Sequence, residues 1–381
     1  MFTTDAISTV RTTVPAVPDN NFDALRFWCA LAVLWSHSFP VSEGSEANEP
    51  LFALSGGQTT LGTIAVTFFF VISGFLVTRS FEQSDSVWRF VKARVLRIMP
   101  ALLVVLFAVA FIVGPLTSTL PLRDYFSSHG PYSYFALQAS FLRWHDELPG
   151  VFSANPVAFV NGSLWTLRHE VECYTLVLLL GVAGLLNRYV TLVLYCAGVL
   201  SLAILDQSTT RYGVQLPMRV EHLDLATKFL AGALVYQWRP GLESNVAWLC
   251  LAVALACLLF GNFDTAERTV VPYFVMYLAI GTPRRWTNMI AHGDLSYGTY
   301  IYAWPVKQLV VMSTATPHWF TTGSVATPIV LLLAWLSWHG VEKTALSLKE
   351  RSSRAKLRAV PIGARLATPA VTRGSGLIGH R

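Results

Sequence analysis

The stretch Leu25–Pro40, LRFWCALAVLWSHSFP, is apolar enough for a bilayer yet carries Arg26 near one end and His37 near the other. Ionisable groups are costly inside a membrane, so such residues mark an anchor or a functional site. Eleven positions separate the two. At 3.6 residues per turn this is close to three turns, which puts both on one helix face, roughly 16 Å apart along the axis. Apolar runs recur down the chain. We read ten spans, at 23–41, 61–80, 97–116, 163–185, 189–205, 223–238, 245–261, 269–283, 294–314 and 323–341. A spanning helix needs about 20 mainly apolar residues. The run 131–142 is too short to span and is expected at the interface or as a re-entrant piece. The expected fold is all-α: a polytopic transmembrane helix bundle of about ten spans.

Composition agrees. The chain of 381 residues is 53% hydrophobic and 13% charged, and its mean hydropathy is +0.49. Soluble domains are about a quarter charged. A polar segment, 1–22, precedes a membrane domain, 23–346, and a basic tail, 347–381, expected to be disordered and to touch anionic lipid. The first twenty residues lack an apolar core, so no cleavable signal is expected. The net charge is +6. It sits in short loops between apolar runs, so the lipid bilayer and not nucleic acid is the expected partner. All five cysteines fall in apolar runs without a CxxC pair, so neither a disulfide framework nor a metal site is expected.

Ten spans put both termini on one side. If that side is cytoplasmic, nineteen basic residues lie inside and five outside, with Arg26, Arg168, Lys228 and Lys307 in or at the ends of spans. The positive-inside rule therefore favours two cytoplasmic termini. Arg26 then lies near the inner surface and His37 in the outer half. An anchor paired with Asp23 would explain Arg26 equally well. His37 is either a hydrogen-bonded packing residue or a general base.

Arg94 and Arg97, at i and i+3 where the third span begins, suit phosphate as well as plain topology. SLWTLRHEVECY, 163–174, brings His169, Glu170 and Glu172 to the outer end of the fourth span. Two carboxylates two residues apart on a helix point in different directions, so only one is expected to face the interior. Ser73-Gly74 permits close helix packing. Lys307 requires a carboxylate, a lipid phosphate or water nearby. The sequon at Asn161 abuts a span and is read as chance.

Taken together, these stretches resemble the acyltransferase-3 family of integral membrane acyltransferases, which includes bacterial O-antigen and exopolysaccharide O-acetylases. The likeness runs from about residue 20 to 346. It rests on Arg26 and His37 in the first span, FFFVISGFL at 68–76, Arg94-x-x-Arg97, SLWTLRHEVECY, and LSYGTYIYAWPV with the closing VEKTAL. There are departures. Ala303 stands where many relatives have His, Arg168-His169 replace small or apolar residues, and Cys173 replaces an aromatic.

The resemblance implies an O-acetyltransferase in a bacterial inner membrane. It would move an acyl group from cytoplasmic acetyl-CoA to a hydroxyl of an extracytoplasmic glycan or glycolipid, such as lipopolysaccharide or exopolysaccharide. Arg94, Arg97 and Arg26 would hold the donor's phosphates, His37 would act as base, and Glu170 would orient the imidazole. Trp165, Tyr297 and Glu172 are weaker candidates for contacts with substrate or oxyanion. A homo-oligomer stays open. The alternative is a proton-coupled exporter of a glycan or small solute, with His37 and Glu170 as its relay.

Overall fold

The computed structural model describes residues 20–142, 146–212, 219–283 and 293–348. Most of the basic tail and the polar N-terminal segment lie outside these residues, as do Arg143, Arg284 and Arg285. Ten helices carry the fold among the described residues. They are α1 (Phe22–Ser36), α2 (Leu61–Glu82), α3 (Val87–Ala108), α4 (Trp165–Val182), α5 (Arg188–Tyr212), α6 (Arg219–Trp238), α7 (Ser244–Phe260), α8 (Val271–Met276), α9 (Ser296–Met312) and α10 (Trp319–Ser337). Side chains that free themselves from the helix close several N-termini. Thr60 accepts from the Thr63 amide, Ser86 from Arg89 and His318 from Phe320.

Each of the ten apolar runs is helical over most of its length. Among the described residues four helical runs are long and apolar enough to cross a membrane: Leu61–Glu82, Val87–Thr117, Arg188–Asp206 and Trp319–Leu348. Others fall short of that measure for two reasons. Helices such as α1, α7, α8 and α9 are short, whereas α4 and α6 carry several charged residues. The run at 131–142 forms the short helix Gly130–Ser140, which packs through Phe135 on Phe111 in the π-helical turn Val109–Val113 that continues α3. Leu259 and Phe260 on α7 are each 81% exposed. Such side chains suit lipid and would be a liability in water.

Two glycines set the central crossing. A Cβ on Gly74 of α2 would lie 1.8 Å from the Phe229 carbonyl oxygen of α6, and one on Gly232 would lie 1.9 Å from the Val71 carbonyl oxygen. The two backbones therefore touch, as the Ser73-Gly74 pair suggested. One end of the bundle carries Arg26, Arg79, Arg94 and Arg97. The opposite end carries His37, Ser163 and the loop before α4.

Near that opposite end a buried ion network ties four helices. Lys228 of α6 donates to Glu267 and Asp224 at 2.8 Å each, and Arg268 reaches Asp224 and Asp206 at 2.6 Å each. Thr67 of α2 donates to the other oxygen of Glu267 at 2.6 Å. Removing one partner from such a network strands the opposite charge, at a cost of about 3–5 kcal/mol. Lys228→Met is therefore expected to lower thermal stability in detergent by that amount. Adding Glu267→Gln should restore part of it. Unchanged melting of the single variant would contradict the network's role.

Candidate active site

At the basic end, α1, α2, α3, α4 and α9 enclose a cavity of 590 Å³. Helical spacing builds its wall: Phe69, Ser73, Leu76 and Ser80 fall on one stripe of α2. Among the described lining residues five are arginines, Arg26, Arg79, Arg89, Arg94 and Arg97, and one is a carboxylate, Glu170. Arg89 pairs with Asp85 just outside the lining.

The arginines divide by partner. Arg97 is ion-paired with Asp294, just before α9, and Arg26 lies 3.8 Å from the same carboxylate. Asp294 also accepts from the Ser296 hydroxyl at 2.5 Å. It thus clamps α1, α3 and the start of α9 together. Arg94 donates to Ser80 at 3.4 Å and lies 5.5 Å from the centre of the Tyr174 ring. Arg79 and Arg94 each keep a buried Nε without a hydrogen-bond partner. Neither has an ion pair among the described residues. Buried donors of this kind are costly unless something fills them, and a bound phosphate would do so.

Glu170 accepts from the Tyr174 hydroxyl and, at 3.4 Å, from Ser73. Glu172 faces elsewhere, toward Arg168 and His222. One carboxylate of the two faces the cavity, as the two-residue spacing required.

His37 sits at the opposite end, where α1 breaks before the short helix Ser38–Glu43. Its Nδ1 is 3.5 Å from the Ser163 hydroxyl, and its ring meets the edge of Trp304 at 5.1 Å. Trp304 is fixed by donating to the Phe159 carbonyl at 2.9 Å. Pro305 lacks the amide that would bond Ile301. Asn161 fills the gap, donating to the Ile301 carbonyl at 3.0 Å. Asn161 is wholly buried, so its sequon is unusable in the folded chain. Lys307 has no carboxylate partner among the described residues: its ammonium donates to the Leu34 carbonyl at 3.0 Å and lies 5.7 Å from the Trp304 ring.

Between the two ends stands a hydroxyl pair, Thr166 and Tyr300, 2.5 Å apart. Both line the cavity, and Thr166 is one helical turn from Ser163. The two hydroxyls share one hydrogen bond and carry two protons, so one proton remains free to donate.

The structure thus brings Arg26, Arg94, Arg97, Glu170 and Tyr297 to one cavity and leaves His37 outside its lining. Three sequence expectations need correction. Glu170 does not orient His37: it lies seven residues beyond Ser163, about 10 Å along the helix, and bonds Tyr174 and Ser73 instead. Tyr297 spends its hydroxyl proton on the Ile98 carbonyl at 2.8 Å. Trp165 packs edge-on against His169. Sequence reading passed over Arg79, Ser163, Thr166 and Tyr300. Arg79 lay six residues past Ser73 near the end of α2, and its uncommitted charge shows only in three dimensions.

The acyltransferase domain family matches residues 19–339 of the chain. The chain belongs to the acyltransferase-3 family. With four helical runs of spanning length it is an integral membrane acyltransferase. It is 28% identical over 334 residues to an O-acetyl transferase of Shigella phage Sf6, covering 86% of this chain and 96% of that one. It is 27% identical over 356 residues to nodulation protein 10 of Rhizobium leguminosarum bv. viciae, covering 87% and 94%. No solved structure matches it.

Proposed function

We propose that this acyltransferase moves an acetyl group from cytoplasmic acetyl-CoA to a hydroxyl of an extracytoplasmic glycan or glycolipid, across a bacterial inner membrane. The observation that carries the reading is the cavity with five arginines against one carboxylate, ending one helical turn from the partner of His37. Acyl-CoA is too highly charged to cross a bilayer, so its phosphates stay at the basic end, which faces the cytoplasm under the positive-inside rule. Arg79 and Arg94 bind those phosphates, while Arg26 and Arg97 act through Asp294 to hold the cavity open. The pantetheine arm runs along the α2 stripe, with Glu170 accepting from one of its amides, and delivers the thioester to Thr166 and Tyr300.

His37, aligned by Ser163, takes the proton of the acceptor hydroxyl as its oxygen attacks the thioester carbonyl. The free proton of the Thr166–Tyr300 pair stabilises the oxyanion. Collapse breaks the carbon–sulfur bond, and the thiolate of CoA regains a proton from the imidazolium. The O-acetyl name of the phage relative supports the acetyl group and the oxygen acceptor.

Mass spectrometry of surface polysaccharide and glycolipid, with and without the chain, tests the reaction. Acetylated sugar should be present only with it. Arg79→Ala and Arg94→Ala should each raise the KM for acetyl-CoA by about 10- to 100-fold, the worth of a charged hydrogen bond at ~1.5–3 kcal/mol, with kcat nearly unchanged. An unchanged KM in both would sink the donor assignment.

A further inference from the structure

On the face of α4 turned from the cavity, two histidines and a carboxylate converge. His169 and Glu172 stand at i and i+3 on α4, and His222 comes from the first turn of α6. One ligand atom from each lies within 4.8 Å of the others. Glu172 and His222 are 50 residues apart in sequence, which hides the group from any spacing motif; the expectation of no metal rested on the cysteines alone.

The protonation of this group is written in its contacts. His169 Nδ1 is 2.9 Å from the Trp165 carbonyl oxygen, so Nδ1 carries the proton and donates. Nε2 is then a bare lone pair. It is buried, has no hydrogen-bond partner, and belongs to a side chain in a residue only 5% exposed. A histidine fixed through one nitrogen by a carbonyl, with the other left bare, is the arrangement that metal-binding imidazoles adopt. Glu172 is likewise held: Arg168 grips one oxygen at 3.0 Å, and the other lies 2.8 Å from His222 Nδ1. The two imidazole rings lie 3.9 Å apart, centre to centre, and are tilted 56° to one another. A cavity of 330 Å³, lined by the trio with Cys173 and Leu176, adjoins them.

We propose that His169, Glu172 and His222 bind one divalent transition-metal ion of the zinc class, which ties the second turn of α4 to the first turn of α6. Two imidazoles and a carboxylate are a zinc donor set that leaves a fourth position for water. The site faces α6, whereas Thr166 and Glu170 face the arginine cavity. The ion therefore acts as a clip that stiffens the helix bearing those residues. It takes no part in the acyl transfer, and the inference does not depend on the reading of the reaction.

The test uses tag-free full-length protein in detergent micelles, stripped with a chelator and then given zinc chloride or cobalt chloride. One zinc per chain should survive gel filtration, measured by elemental mass spectrometry. Cobalt should give the visible absorption bands of a low-coordinate site, and zinc should raise the melting temperature by several degrees. His169→Leu and His222→Gln should each weaken binding by at least about 100-fold and abolish the thermal shift. His339→Gln, at an exposed histidine, should leave both unchanged. If His169→Leu fails to insert, His222→Gln carries the comparison alone. Zinc retained equally by the His222 variant, or no ion retained by the parent protein, overturns the site and leaves an ion-paired cluster only.

Discussion

His37→Ala should lower acetyl transfer by about 10²- to 10⁴-fold, the range expected when a general base is removed, while the chain still inserts and melts normally. The imidazole makes one weak hydrogen bond, at 3.5 Å to Ser163, and an edge contact with Trp304. Its loss therefore costs little packing. Donor binding should survive as well, because His37 is not among the residues lining the arginine cavity. The signature is a fall in kcat with the KM for acetyl-CoA within a few-fold of the parent, the reverse of the arginine variants. Ser163→Ala should cost only about 2- to 10-fold, the value of one neutral hydrogen bond. Activity within about threefold of the parent in the His37 variant would remove the base from this scheme. If unmodified glycan also stopped reaching the surface, the exporter reading would gain.

The difference between these two classes of variant reflects what a single chain reveals of its own fold. The apolar runs were legible because a helix in lipid must be long and apolar, whatever its neighbours. Glu170 and Glu172 could be separated in advance because a two-residue step turns a helix side chain by more than half a circle. The partners were not legible. Asp294 meets Arg97 across 197 positions of sequence, and Ser163 meets His37 across 126. Those meetings depend on how each helix rotates about its axis, which hydrophobic length does not determine. The same blindness hid Thr166 and Tyr300, whose hydroxyls meet across 134 positions.

Helix rotation here is fixed by backbone contact, and Gly232→Val should damage the fold severely. The added Cβ would lie 1.9 Å from the Val71 carbonyl oxygen and the same glycine has no rotamer to yield with. Where a new Cβ meets a side chain, as at Gly181 against Phe81, the ring can swing aside. Against a carbonyl, two helices must separate. Overpacking a core costs roughly 1–3 kcal/mol where side chains can adjust, so the cost here should lie at or beyond the upper end. Separating α2 from α6 would also move Ser73, one residue before Gly74, away from Glu170 and so open the arginine cavity. The expected result is little folded protein in the membrane and, in what remains, loss of both donor binding and turnover. Gly340→Ala is the control, since nothing lies within 4 Å of its added Cβ. Comparable melting temperatures for the two variants in detergent would mean that the α2–α6 crossing is looser than the backbone contact implies.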